Sequence, residues 1–169
     1  MILAFDTYYF DNKAKTVCIA FNDWADPELS NNFTEVLNGV EDYEPGLFYK
    51  RELPCILSLL NKIDYGSVKT IVVDGFVTLD DNGKNGLGGH LFDALNQSIP
   101  IIGVAKTGFY DNHKMVRKLL RGESQKPLFI TTKGMELDAA VDNISRMHGS
   151  YRMPTLLQIL DTQTKEKQE

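Results

Sequence analysis

TIVVDGFVTLDDNGKNGLGGHLFDALNQSIPIIGVAK (Thr70–Lys106) contains two unbroken apolar runs, TIVVD and IIGVA, on either side of GLGGHLFDALN, a stretch with helical spacing. A short β-branched run bounded by turn residues is the pattern of a strand buried on both faces. Two such strands joined through a helix make a β-α-β crossover, which places the chain in the α/β class.

The flanks extend this unit. On the N-terminal side, ILAFDTYYF (Ile2–Phe10) and KTVCIAF (Lys15–Phe21) are β-branched and aromatic runs separated by DNKA, which predicts a hairpin. FTEVLNGV (Phe33–Val40) supplies a third strand, and Leu53, Ile56, Leu57, Leu60 and Ile63 recur at the steps of one helix face, ending near Asp64 to Gly66. On the C-terminal side, PLFITT (Pro127–Thr132) reads as a further strand. Leu137, Ala140, Val141 and Ile144 mark a helix that stops at His148 and Gly149. A hairpin followed by crossovers predicts a mixed β-sheet flanked by helices. The chain reads as one domain over residues 1–160, with DTQTKEKQE (161–169) as a polar tail.

The 169 residues, 43% of them apolar, suffice for one packed core. No run approaches the roughly 18 apolar residues of a membrane span, and MILAFD lacks the basic start of a signal peptide, so no membrane partner and a cytoplasmic location are expected. The net charge of -5 argues against nonspecific coating of nucleic acid, while leaving room for a local basic stripe. Cys18 and Cys55 lack metal-ligand spacing and read as small core residues.

Asp6 interrupts the first strand, and Asp74 closes the buried run IVVDG. A carboxylate there is costly unless paired, hydrogen-bonded or metal-bound, and ligands gather at the carboxyl ends of strands in open α/β sheets. Glu52, at the start of its helix, and Lys106, at the end of IIGVAK, are candidates for the same site. Three converging carboxylates repel, so a proton or a hard divalent cation such as magnesium must sit among them. Each residue alone also has an ordinary reading: Asp74-Gly75 as a turn, Glu52 at the positive end of its helix, Lys106 as a solvated strand end.

These residues and the motifs around them resemble the endonuclease V family, with its ribonuclease H-like fold, from Asp6 to about Asp161. The family's wedge motif is similar to Asp42-Tyr43-Glu44-Pro45-Gly46, and its phenylalanine-arginine-glutamate to Lys50-Arg51-Glu52. Val73-Asp74-Gly75 and Gly103-Val104-Ala105-Lys106 match without change, while Pro127-Leu128-Phe129-Ile130 and Tyr151-Arg152-Met153-Pro154 resemble its later landmarks. The resemblance implies a metal-dependent endonuclease that hydrolyses the second phosphodiester 3′ to inosine in DNA or RNA, leaving 3′-hydroxyl and 5′-phosphate ends. It implies Asp6, Glu52 and Asp74 as ligands of Mg2+, with Mn2+ as an acceptable substitute, and Lys106 offsetting charge on the phosphoryl oxygens. Tyr43 is implied as the wedge filling the gap left by the extruded nucleotide, and Gly46, Gly75 and Gly103 as the backbone lining of the hypoxanthine pocket.

The chain departs from the family in places. The histidine six residues past the aspartate of the valine-aspartate-glycine strand is replaced by Asp80, which could ligate metal in its stead. The glycine-histidine after the proline-leucine-phenylalanine-isoleucine strand is replaced by Lys133-Gly134, although Asp138 still matches the acid beyond. His90 matches a histidine of the family's helix and reads as a packing residue. In the shortened segment 107–126, Lys114, Arg117, Lys118 and Arg121 fall on one helical face opposite Met115, Val116, Leu119 and Leu120, which suits either phosphate contacts or a solvated surface. Two further readings stand beside the nuclease: a homologue that binds nucleic acid without efficient cleavage, and a phosphoacceptor receiver domain. The second expects an additional acid where this chain has Phe5 and Thr7, and it has no place for the hairpin.

Overall fold

The computed structural model describes residues 1–39, 48–108 and 112–166. The predicted hairpin forms β1 (Ile2–Phe10) and β2 (Lys13–Phe21), paired antiparallel from Ile2↔Phe21 to Phe10↔Lys13. Asp11 and Asn12 make its two-residue turn, both at positive φ (47° and 60°), as a turn matched to the strand twist requires. β3 (Asn31–Asn38) adds antiparallel to β2, and α1 (Phe48–Leu60) returns the chain across the sheet. The crossover then appears as β4 (Thr70–Asp74), α2 (Leu87–Ala94) and β5 (Ile101–Ala105), with β4 parallel to both β1 and β5.

After β5 the chain supplies β6 (Arg117–Leu119), β7 (Leu128–Lys133), α3 (Leu137–Ser145) and α4 (Thr155–Lys165). The described strands form one seven-stranded sheet in the order β3-β2-β1-β4-β5-β7-β6. This is the expected mixed ribonuclease H-like sheet. Helices cover both faces: α1 and α2 pack against Leu3, Phe5, Val73 and Ile101, whereas α3 and α4 pack against Ala4, Val72, Ile102 and Ile130. Strand side chains alternate between the two faces, so odd- and even-numbered positions of β1, β4 and β5 belong to different cores. No helix among the described residues is long and apolar enough to cross a membrane. Cys18 and Cys55 are free, buried thiols.

Two expectations are corrected. The basic segment after residue 113 is not a helix: residues 117–119 are an edge strand, because Arg117, Lys118 and Leu119 pair with Ile130, Phe129 and Leu128, and Leu119 packs into the α3/α4 core. Tertiary pairing outweighs the helical spacing of the sequence. The supposed polar tail begins inside α4, whose Leu156, Leu157 and Leu160 are buried.

The crossover loop after β4 depends on a close approach. A Cβ on Gly103 would lie 2.5 Å from the Gly75 carbonyl oxygen and 2.8 Å from Thr131 Oγ1. That vacancy lets residues 75–77 fold over β5, where the Val77 N–H donates to Thr131 Oγ1 at 2.8 Å. Gly75 itself sits at φ 133°, a conformation that side-chain-bearing residues rarely adopt. Gly103→Ala should therefore destabilise the protein by about 2–3 kcal/mol, read as a lower urea midpoint; an unchanged midpoint would show that the 75–77 loop is free to shift.

Candidate active site

The pleat decides which carboxylates can meet. Ala4 pairs with Val72, Phe5 with Val73 and Asp74 with Val104, so Asp6 and Asp74 stand side by side on the α3/α4 face, with Lys106 just beyond β5. Asp6 is only 8% exposed, accepts the Thr7 N–H through Oδ1 at 2.9 Å and hydrogen-bonds Asp74. Burial, and then the charge of Asp74, push its pKa up to about 7. Asp74 is open to solvent along one side, but its carboxyl end is hemmed in, and that desolvation raises its pKa against the opposing pull of Lys106. The hydrogen bond between them raises Asp6 and lowers Asp74, and the two titrate as one pair.

α4 crosses the same strand ends and contributes Asp161, whose charge raises both Asp6 and Asp74. Asp161 is in turn held by Lys165 at 3.2 Å. Asp6, Asp74, Lys106 and Asp161 line a cavity of 20 Å³ walled by Val104, Met153 and Leu157. That is room for about one water-sized occupant.

Glu52 approaches from the other face. Thr7 points to the α1 side of the sheet, where its hydroxyl hydrogen-bonds Glu52 and lies 3.1 Å from Thr16 Oγ1. Burial and then the charges of Asp6 and Asp74 raise the Glu52 pKa, so it feels the pair around the strand end without touching it. Accordingly, no group of three or more His, Cys, Asp or Glu side chains among the described residues is close enough to cage an ion unaided. The donors present nevertheless fit magnesium, which is usually held by one or two carboxylates and completed by water and substrate phosphates. All are carboxylate oxygens, and the raised pKa values mark excess negative charge that a cation would relieve.

On the α1/α2 side, a cleft of 480 Å³ opens against this centre, lined by Tyr49, Glu52, Asp74, Gly75, Lys84 and Lys106 among others. Asp74 and Lys106 border both spaces. Behind the cleft wall, His90 stacks on Tyr49 with ring centroids 3.7 Å apart, and burial lowers its pKa. It is a packing histidine.

The remaining sequence candidates fall as follows. Tyr43 and Gly46 lie outside the described residues. Gly75 lines the cleft, whereas Gly103 lies beneath it, against the Gly75 carbonyl. Lys114, Arg117 and Lys118 are exposed but share no face, since successive strand residues point oppositely and Lys114 lies in a loop tied to Asp81 Oδ1. Arg121 is turned inward, its guanidinium donating to the carbonyls of Met147, Gly149, Tyr151 and Arg152. Asp80 Oδ1 accepts the N–H groups of Asn82 and Lys84, both at 3.0 Å, and closes a turn. Lys133 donates to Asn85 Oδ1. Asp138 is an exposed partner of Arg117 at 3.6 Å.

Asp161 is the functional candidate that sequence reasoning missed. A signal was present: Asp161 follows Leu157 by four residues in TLLQILD, so it shares the buried face of an amphipathic helix.

A family model described as Endonuclease V matches residues 1–126. No curated protein matches the chain. Among solved structures, human endonuclease V aligns with TM-score 0.74 at 21% identity, covering 97% of this chain and 82% of that one. Endonuclease V from Streptomyces avermitilis gives 0.72 at 22% identity, covering 97% and 79%. A variant of the Ciona intestinalis enzyme, in complex with a 23mer DNA containing an inosine followed by a ribo-adenosine, gives 0.77 at 15% identity, covering 97% and 83%. At these identities the likeness is one of fold.

The Asp6 shift fixes a pH dependence. Its folded pKa lies above the unfolded 3.8, so the folded state binds the extra proton and stability falls as pH rises from 3.8 through about 7. Glu35, Asp81 and Asp93 have lowered pKa values, and their opposite contribution is complete near pH 5. Between about pH 5 and 7.5, the raised Asp6, Asp74 and Glu52 oppose the lowered His90, so metal-free protein should lose thermal stability, Asp6→Asn should reduce that slope, and Mg2+ should restore stability at the upper end more in the wild type than in the variant. Differential scanning calorimetry across this range measures all three.

Proposed function

The chain belongs to the endonuclease V family, and from that premise we propose that it is a magnesium-dependent endonuclease. Its reaction is hydrolysis of the second phosphodiester 3′ to inosine in DNA or RNA, leaving 3′-hydroxyl and 5′-phosphate ends, in a cytoplasmic setting. The observation that carries the reading is the hydrogen-bonded Asp6–Asp74 pair, flanked by Lys106 and Asp161, at the edge of a cleft large enough for an extruded base.

Asp6 and Asp74 would hold the metal, with Glu52 and Asp161 within electrostatic reach on either side. A bound magnesium ion, or manganese in its place, supplies Lewis acidity, lowering the pKa of the attacking water and offsetting charge on the phosphoryl oxygens. Lys106 presents an ammonium group where the cleft meets the carboxylates, so it meets charge developing on the phosphate. Asp161, whose carboxylate borders the cavity, is placed to accept the proton of the attacking water. Gly75 lets the backbone approach the extruded base, and Tyr43, from the family motif, is assigned the wedge.

A second reading, binding of nucleic acid without efficient cleavage, is favoured by one finding. Asp80, at the position of one family histidine, is engaged in a turn, and Lys133-Gly134 stands where the glycine-histidine pair is expected, with Lys133 donating to Asn85. Labelled single- and double-stranded DNA and RNA carrying one inosine decide between the two. The nuclease reading expects magnesium-dependent cutting one nucleotide beyond the inosine, reduced at least about 100-fold by Asp74→Asn and by Asp161→Asn. Inosine-selective binding with no cut would assign the second reading.

A further inference from the structure

We infer that Tyr151 is a stacking platform for one unpaired base of the substrate strand, beside the nucleotide being cut. The inference rests on the proposed reading of the site as one that binds nucleic acid, and it adds a contact outside the cleft and the carboxylates.

Tyr151 is 80% exposed, more than any other large hydrophobic side chain among the described residues. An aromatic ring on a slack loop can fold away from water. This one is held out, because the backbone on both sides of it is fixed from within.

Arg121, only 6% exposed, donates to the carbonyls of Met147 at 2.7 Å, Gly149 at 3.1 Å, Tyr151 at 2.6 Å and Arg152 at 3.4 Å. Arg152 donates to the carbonyls of Lys106 at 2.6 Å and Pro127 at 2.8 Å. Gly122, at φ 61°, runs so close beneath the loop that a Cβ there would lie 2.1 Å from the Ser150 carbonyl oxygen. Charge-assisted bonds of this kind are among the stronger hydrogen bonds of a protein. A ring presented on such a support binds with little further ordering, which favours affinity.

The placement points to the ligand. Arg152 ties the loop to the backbone of Lys106, and Met153 walls the carboxylate cavity. Met153 also lines, with Tyr151, Ser124 and Ile159, a groove of 1040 Å³, so this one side chain borders both spaces. A strand with its phosphate at Asp6, Asp74 and Lys106 that leaves past Met153 runs toward Tyr151. The groove carries Glu123 beside Arg152, whose Nη2 already donates to two backbone carbonyls, so the contact invoked is stacking rather than charge. Stacking of this kind tolerates any base.

The test measures binding by fluorescence anisotropy, without divalent cation, of labelled single-stranded DNA carrying one inosine, using wild type, Tyr151→Ala and Tyr151→Phe. Tyr151→Ala should weaken binding by about 5- to 100-fold and Tyr151→Phe by less than about twofold, with the salt dependence of binding unchanged. A scan of abasic sites along the strand should find one position that lowers wild-type affinity to the level of Tyr151→Ala and costs the variant nothing more. Wild-type affinity in Tyr151→Ala, or an abasic loss that adds to the variant's, overturns the inference. So does Tyr151-dependent self-association with oligonucleotide binding unaltered, which would assign the ring to a second copy of the chain. Magnesium-dependent inosine cleavage is measured on the same proteins. Absence of cutting with the Tyr151 pattern intact defeats the proposed function alone, normal cutting with no Tyr151 effect defeats this inference alone, and no binding of any oligonucleotide defeats both.

Discussion

Asp6 and Asp74 stand on neighbouring parallel strands, on one face and at one height, and their mutual repulsion is the constraint around which this end of the sheet is arranged. Two carboxylates hydrogen-bonded to each other, one of them buried, cannot both carry full charge without compensation. In the protein alone the compensation is a shared proton, the nearby Lys106 ammonium and Lys165 drawn in behind Asp161. The apolar wall of Val104, Met153 and Leu157 limits water on the Asp6 side of the pair. Such an arrangement is costly as a structural element and useful as a binding one, because any cation entering it removes a repulsion as well as forming bonds.

The sheet keeps the parts of the site distinct. Even-numbered positions of β1 and β4 build the carboxylate cavity, while Thr7, one residue away, faces α1 and holds Glu52. Asp74 and Lys106 border both spaces because each lies at or past the end of its strand, where the sheet no longer separates its faces. The cleft and the carboxylate cavity therefore meet at the strand ends, in keeping with ligand placement in open α/β sheets generally.

Most of this was legible in the sequence, for identifiable reasons. The hairpin, the crossover and the helices after β3 and β7 carry strong local patterns, and Asp6 and Asp74 stood out as acids in runs otherwise meant for burial. The short edge strand at Arg117–Leu119 was not legible, since three residues set no period and their strand character comes from pairing with Leu128 to Ile130. Arg121 was misread for the same reason: its partners are backbone carbonyls from residues 147–152, which no local pattern announces. α4 was overlooked because its polar residues matched those of a tail, although Leu156, Leu157 and Leu160 were already in helical step. Asp80 shows the limit of spacing arguments, for it lies at the right distance from Asp74 yet spends its carboxylate on its own turn.

That Asp6 lies in β1 and Asp161 in α4 has a consequence for the life of the chain. During synthesis the strands bearing Asp6 and Asp74 emerge and can pair long before the helix that brings Asp161, and α4 packs directly on β1 and β2. A nascent chain thus carries its carboxylate pair before the last wall of the cavity exists. The cavity is therefore completed only once α4 has folded onto β1 and β2.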